Sequence, residues 1–262
     1  MKQFLLELLP LQVYLNLRRW NYRFSHKQAF ENTQHKRKIT TESDYSYKPY
    51  DDKKAIFVHI PKCAGVSLNE TIFGGLAGGH TTFDEYLNIF EPNCITDYFK
   101  FTIVRNPWDR LVSAYFFLKN GGFNELDKAW FSEELGVYSG FEDFVRTWLN
   151  KKNIWKWYHF QPQYHYILEK RKMMSLDFIG FLENIDEDFM YISKRIGVNC
   201  SLPSSNKSKH ATYTNYYTDE TKNIVAEVYA EDIKLLGYNF DNSSLPLQIA
   251  NRSARKDHSI CW

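Results

Sequence analysis

A chain of 262 residues can build one large domain or two small ones, and 44% hydrophobic with 24% charged residues are ordinary globular values. A formal net charge of +2 is too small to argue for nucleic acid, so any basic site must be local. The four cysteines, Cys63, Cys94, Cys200 and Cys261, lie far apart with no CxxC pair, which argues against zinc, demands no disulfide and fits a reducing, cytoplasmic setting.

The opening segment MKQFLLELLPLQVYLNLRRW is interrupted by Glu7, Pro10, Gln12 and Asn16 and falls short of the roughly 20 apolar residues a bilayer span needs. It also lacks a small-residue cleavage site. Leu5, Leu8, Leu9 and Leu15 predict an amphipathic helix ending in Arg18 and Arg19. Such a helix docks on the domain or a partner, or lies on a membrane surface as a peripheral contact through residues 1–20. With no spanning segment in view, a Golgi-lumenal placement is disfavoured. Residues 21–54 are polar and of mixed charge, and read as a linker or loose arm. AIFVHI, from Ala55, is a short buried strand of the parallel-sheet kind. GVSLNETIF follows as a helix, with Ser67 and Glu70 at capping-box spacing. A second strand is expected over 98–105, after which Asn106 caps a helix with Pro107 in its first turn. FEDFVRTWLN reads as helix, 176–183 as a third strand, and NIDEDFMYISKRIG as a helix closed by Gly197. Residues 219–237 predict one long amphipathic helix with Ile224, Val228 and Leu235 on one face. The alternation of strand and helix predicts an α/β fold: a central parallel sheet with flanking helices.

In such a sheet ligands sit beyond the carboxyl ends of the strands, which puts the loop 61–67 and Arg105 on one edge. Loop amides and a helix N-terminus attract an anion, Lys62 adds a full charge, and Gly65 lets the backbone come close. The pattern G-x-x-x-x-G-K-[ST] is absent, because here the lysine precedes the glycine, and no acidic strand end offers a magnesium ligand. Arg105 and Ser113, eight residues apart, suit a second phosphate. A capped turn with a solvated lysine, and an arginine paired with an acid, are the plain structural alternatives.

HIPKCAGVS resembles the 5′-phosphosulfate loop, and VRNPWDRLVSAY the 3′-phosphate motif, of the Golgi-type carbohydrate sulfotransferases and their bacterial relatives. The likeness extends through HFQPQYHYIL, DFIGFLENIDEDF, LPSSNKSKH and YYTDETKNIVAEVYAEDIKLLGYNF, covering roughly residues 53–240. It implies a P-loop-like nucleotide-binding fold over 53–240, with residues 1–52 as an N-terminal helix and arm and 241–262 as a C-terminal tail. It further implies the donor 3′-phosphoadenosine 5′-phosphosulfate (PAPS), leaving adenosine 3′,5′-bisphosphate as product. Lys62 would contact the bridging oxygen and the 5′-phosphate, with Pro61 and the amides of Cys63, Ala64, Gly65, Val66 and Ser67 around it. Arg105 and Ser113 would hold the 3′-phosphate, and Lys207 and Lys209 belong to a late loop over the nucleotide. Cys63 and Val66 stand where the family commonly has hydroxyl residues, so weaker donor binding is expected.

Transfer of a sulfuryl group to an alcohol needs a base for the acceptor proton, and histidine titrates in the right range. Of eight histidines, His80 in GGLAGGHTTFDEYL resembles the catalytic segment of the heparan sulfate 6-O-sulfotransferases, with Glu85 to orient it or act as the base itself. His59 reads as structural and His159 as the runner-up base. Trp157, His159 and Gln163, within IWKWYHFQPQYHYIL, suit a sugar, as does the overall wealth of 18 Tyr, 20 Phe and 7 Trp. The expected activity is PAPS-dependent sulfation of a saccharide or glycoconjugate hydroxyl without a metal. A nucleotide-dependent phosphoryl transferase and a non-catalytic nucleotide or glycan-binding module are the alternatives.

Overall fold

Three of the apolar runs become strands: β1 (Ala55–Val58), β2 (Phe99–Val104) and β3 (Phe178–Phe181), hydrogen-bonded in the order β1-β2-β3. The computed structural model describes residues 9–39, 45–171, 174–202 and 212–254. Both strand pairings are parallel, with Val58 opposite Thr102 and Val104 opposite Phe181. Every strand residue is buried, as a parallel sheet covered on its faces requires. The protein is an α/β fold with a central parallel sheet and flanking helices.

Among the described residues three helices precede the sheet: α1 (Leu11–Ser25), α2 (Lys27–Lys36) and α3 (Lys48–Lys53). Between β1 and β2 run α4 (Gly65–Phe73), α5 (Phe83–Ile89) and α6 (Pro92–Asp97). Between β2 and β3 come α7 (Pro107–Lys119), α8 (Glu125–Trp130) with a π-turn over Phe131–Leu135, α9 (Phe141–Thr147) and α10 (Gln163–Ile167). The chain continues with α11 (Ile185–Ile196), α12 (Asp219–Val228), α13 (Ala230–Leu236) and α14 (Leu245–Ala254). Asn106 caps α7 by accepting from the Trp108 amide, and Gly197 ends α11 in the left-handed region, both as the sequence predicts.

Four expectations are corrected. Residues 21–54 are no loose arm over their described parts, because ion pairs and buried aromatics anchor the leading helices. Arg18 on α1 grips both carboxylate oxygens of Asp84 at 2.8 Å, Tyr14 donates to Glu169 at 3.0 Å, and Arg37 bridges Asp51 and Glu91. Helix α1 also outruns its expected end at Arg19 and is apolar on two sides. Tyr14 and Leu15 are buried, while Val13, Leu17, Trp20 and Phe24, recurring on the opposite face, are exposed. The capping box expected at Ser67 and Glu70 is absent: the loop turns early through positive φ at Lys62 and Ala64, so Ser67 lies inside α4. A capping box forms instead at Thr82 and Glu85. Residues 219–237 break at Tyr229, whose hydroxyl donates to the Phe160 carbonyl at 2.7 Å.

The aromatic wealth goes mainly into the interior. One apolar cluster surrounds the sheet, and a second gathers Trp108, Tyr115, Phe144, Trp148, Phe160 and Tyr229 around α7 and α9. Among the described residues no helix is long and apolar enough to cross a membrane.

Candidate active site

Strand β1 delivers His59, which is buried and stacked on Phe57 at 5.6 Å between ring centroids. The chain then bends through Lys62 at φ 68° and Ala64 at φ 59° into the N-terminus of α4. Non-glycine residues rarely hold such angles, and strain of this kind persists where surrounding structure enforces it. Gly65 could carry no side chain, because a Cβ there would lie 1.8 Å from the His59 ring. The loop therefore brings bare backbone to a helix N-terminus, which is the arrangement that receives an anion.

Lys62 points its Nζ at the face of Phe117 on α7, 3.5 Å from the ring centroid. Burial, with the Arg105 charge, lowers its ammonium to about 8. Cys63 is buried with Sγ 3.6 Å from Gln163 Oε1, and burial pushes its thiol up to about 12, so it is an inert thiol. Val66 is exposed, and Ser67 is buried on the inner side of α4.

Arg105 leaves β2 on the same edge. Its Nε and Nη2 bind the two Asp109 oxygens at 2.8 Å, and its Nη1 donates to the Lys62 carbonyl at 3.1 Å. The guanidinium thus straps the loop to α7, and of its five N–H groups two stay uncommitted to described residues. Ser113 lies half-buried further along α7. Lys207 and Lys209 lie outside the described residues.

His80 sits where the loop edge meets a neighbouring cleft. Its Nδ1 is 3.0 Å from the His59 carbonyl, and its ring is 4.3 Å from the His59 ring and 5.2 Å from Tyr158. A carbonyl only accepts, so Nδ1 carries the proton and Nε2 is left as the basic nitrogen. Burial lowers the His80 pKa, helped by Lys62, so the ring is neutral at pH 7. Glu85 does not orient His80: its carboxylate accepts from the Thr82 amide and hydroxyl, both at 2.8 Å. The orienting group is the His59 backbone.

His159 is buried, 5.0 Å from Phe117 and 6.4 Å from His80 between ring centroids. Its Nδ1 has no hydrogen-bond partner and lies 3.8 Å from Asp127 Oδ1. Burial, with the Lys62 and His80 charges, lowers its pKa to about 2. Trp157 stacks on Trp130 at 4.8 Å and donates to Asp127, so one ring face is already covered. Gln163 is fully buried and clamps the Arg105 backbone, accepting from its N–H at 3.0 Å and donating to its carbonyl at 2.8 Å.

Sequence reasoning missed the side chains that hold this aromatic segment. Arg110 donates to the carbonyls of His159 and Gln161, at 3.2 and 2.6 Å. Asp232 accepts from the amides of Gln163 and Tyr164, both at 2.8 Å. Asp127 gathers Trp157, Tyr158 and the Phe123 amide. A charged residue on an otherwise apolar helix face, as Arg110 is on α7, is the signal that could have found them.

Among the described residues no group of three or more His, Cys, Asp or Glu is placed to hold a metal ion. No solved structure matches the chain. A protein of Archaeoglobus fulgidus, described as uncharacterized, is 32% identical over 102 residues, covering 38% of this chain and 69% of that protein. The model of the sulfotransferase family matches residues 45–239, which include the strained loop, Arg105, His80 and the aromatic segment. By that match the chain belongs to the sulfotransferase family.

Proposed function

We propose that the protein transfers the sulfuryl group of PAPS to a hydroxyl of a saccharide or glycoconjugate. The observation that carries this reading is His80, whose bond to the His59 carbonyl holds it against the donor loop while its ring lines the adjoining cleft. The strained loop, the space kept by Gly65 and the partly desolvated Lys62 fit a phosphosulfate, and Arg105 and Ser113 on the same edge fit a 3′-phosphate. Bound there, PAPS supplies a sulfuryl group on a good leaving phosphate.

The chain's own residues do the rest. Lys62 and the loop amides hold the anion and stabilise charge on the departing oxygen. His80 Nε2 accepts the acceptor proton, its tautomer fixed by the His59 carbonyl. Gln163 and Arg110 keep the donor edge and the aromatic segment in register. His159 and Trp157 serve as packing for that segment, with Tyr158 presenting the outward ring. The residue order in the loop lacks the magnesium logic of phosphoryl transfer, so sulfuryl transfer is the better fit.

Calorimetry provides the test. Adenosine 3′,5′-bisphosphate should bind at least about tenfold tighter than AMP, a difference of about 1.4 kcal/mol, and Arg105→Ala should erase the difference. Equal binding of the two nucleotides would refute the donor assignment. Tight bisphosphate binding without label transfer from PAPS to any alcohol would leave a nucleotide-binding module instead.

A further inference from the structure

Helix α1 turns a second apolar face outward. Val13, Leu17, Trp20 and Phe24 recur at helical spacing in one row and are 44%, 48%, 61% and 68% exposed. At 1.5 Å per residue the row runs about 16 Å along the helix. Its aromatic end is paired, the Trp20 and Phe24 rings meeting at 4.7 Å between centroids. The helix needs neither ring for its own anchoring, which Tyr14, Leu15 and Arg18 supply from the other side.

The charge around this row is positive once existing pairs are set aside. Helix α1 contains three arginines and no Asp or Glu. Arg18 is consumed by Asp84 at 2.8 Å and Arg19 by Glu91 at 2.6 Å. Arg23 is exposed and enters no ion pair among the described residues. Four residues on, Lys27 lies 4.0 Å from Glu31, both well exposed, so these two offset one another. Lys36 at the end of α2 and Lys38 just beyond it have no ion pair among the described residues. On α5 and α6, which pack against α1, Asp84 and Glu91 are paired with arginines and Glu85 caps α5, which leaves Asp97. Glu169, which meets Tyr14, is paired with Arg171 at 2.6 Å. Arg23, Lys36 and Lys38 therefore stand against Asp97 alone.

We propose that the outer face of α1 seats the protein on an anionic lipid surface. Trp20 and Phe24 enter the boundary between headgroups and acyl chains, with Val13 and Leu17 behind them. Arg23 keeps its stem along the apolar row and its guanidinium among the lipid phosphates. A second copy of the chain is a poorer occupant. A two-fold contact sets the same patch against itself, so Arg23 would face a helix without a carboxylate to answer it. The inference is independent of the sulfotransferase reading.

The test sediments the full chain with vesicles of phosphatidylcholine alone and of phosphatidylcholine mixed with an equal share of phosphatidylglycerol. The protein should bind the mixed vesicles at least about tenfold more tightly, and added salt should remove most of that preference. Trp20→Ser combined with Phe24→Ser should weaken binding to the mixed vesicles at least about tenfold, with Tm unchanged because both rings are exposed. Arg23→Glu should weaken it about tenfold and leave binding to phosphatidylcholine as it was. No binding of the full chain to the mixed vesicles overturns the inference, as does full binding by the double-serine variant. A dimer in sedimentation equilibrium that the double-serine variant abolishes, without vesicle binding, would make the second copy the occupant and overturn it equally.

Discussion

His80→Ala should lower turnover ~10²–10⁴-fold while leaving the affinity for adenosine 3′,5′-bisphosphate unchanged. The expected size is that of a positioned general base, the role proposed above for His80, whose Nδ1–H donates to the His59 carbonyl. The pH profile provides a second readout. The base must be neutral, and burial puts the His80 pKa below the ordinary 6.5, so kcat/KM should fall only as pH drops below that value. Lys62 must be charged to hold an anion, and its pKa is about 8, so kcat/KM should also fall as pH rises past about 8. A bound anion favours the ammonium, so the alkaline limb of kcat should lie higher than that of kcat/KM. His80→Ala should abolish the acid limb, and Lys62→Arg should move the alkaline limb out of range. Unchanged turnover in the alanine variant would take His80 out of the chemistry.

Arg110→Ala should cost roughly 2–5 kcal/mol of stability, read as a fall in Tm of roughly 10 °C. The guanidinium is buried, and two buried carbonyls, of His159 and Gln161, depend on it. It also faces Asp232, which burial raises to about 6 against the opposing pull of Arg110. Removing the arginine leaves both carbonyls unpaired and Asp232 without its counter-charge. Arg110→Lys should restore less than half of the loss, since an ammonium cannot span both carbonyls as a fork does. A loss below about 1 kcal/mol in the alanine variant would mean that water substitutes for the guanidinium.

Much of the scaffold was legible because its signals are local. Asn106 before Pro107 marks the start of α7, Gly197 marks the end of α11, and the runs at 55–58, 99–104 and 178–181 carry the apolar character of a buried parallel sheet. The strand–loop–helix unit at 55–73 was legible for the same reason. What stayed hidden depends on distant partners. Residues 21–39 look like an arm until Arg37 is seen with Glu91, and the break at Tyr229 follows from a carbonyl 69 residues away. Gln163 among tyrosines reads as a sugar ligand, yet its amide is consumed by the backbone of Arg105, 58 residues upstream. Glu85 reads as a partner for His80, but three residues' spacing to Thr82 commits it to a helix cap.

The bond between Arg18 and Asp84 reaches beyond stability. The stretch that matches the sulfotransferase family begins at residue 45, so α1 and α2 lie outside it. Yet α1 supplies the guanidinium for Asp84 and the phenol for Glu169, both in the wall of the cleft. Trimming the gene to the shared span would strip those carboxylates of their partners, so the transferable unit is larger than the homologous one.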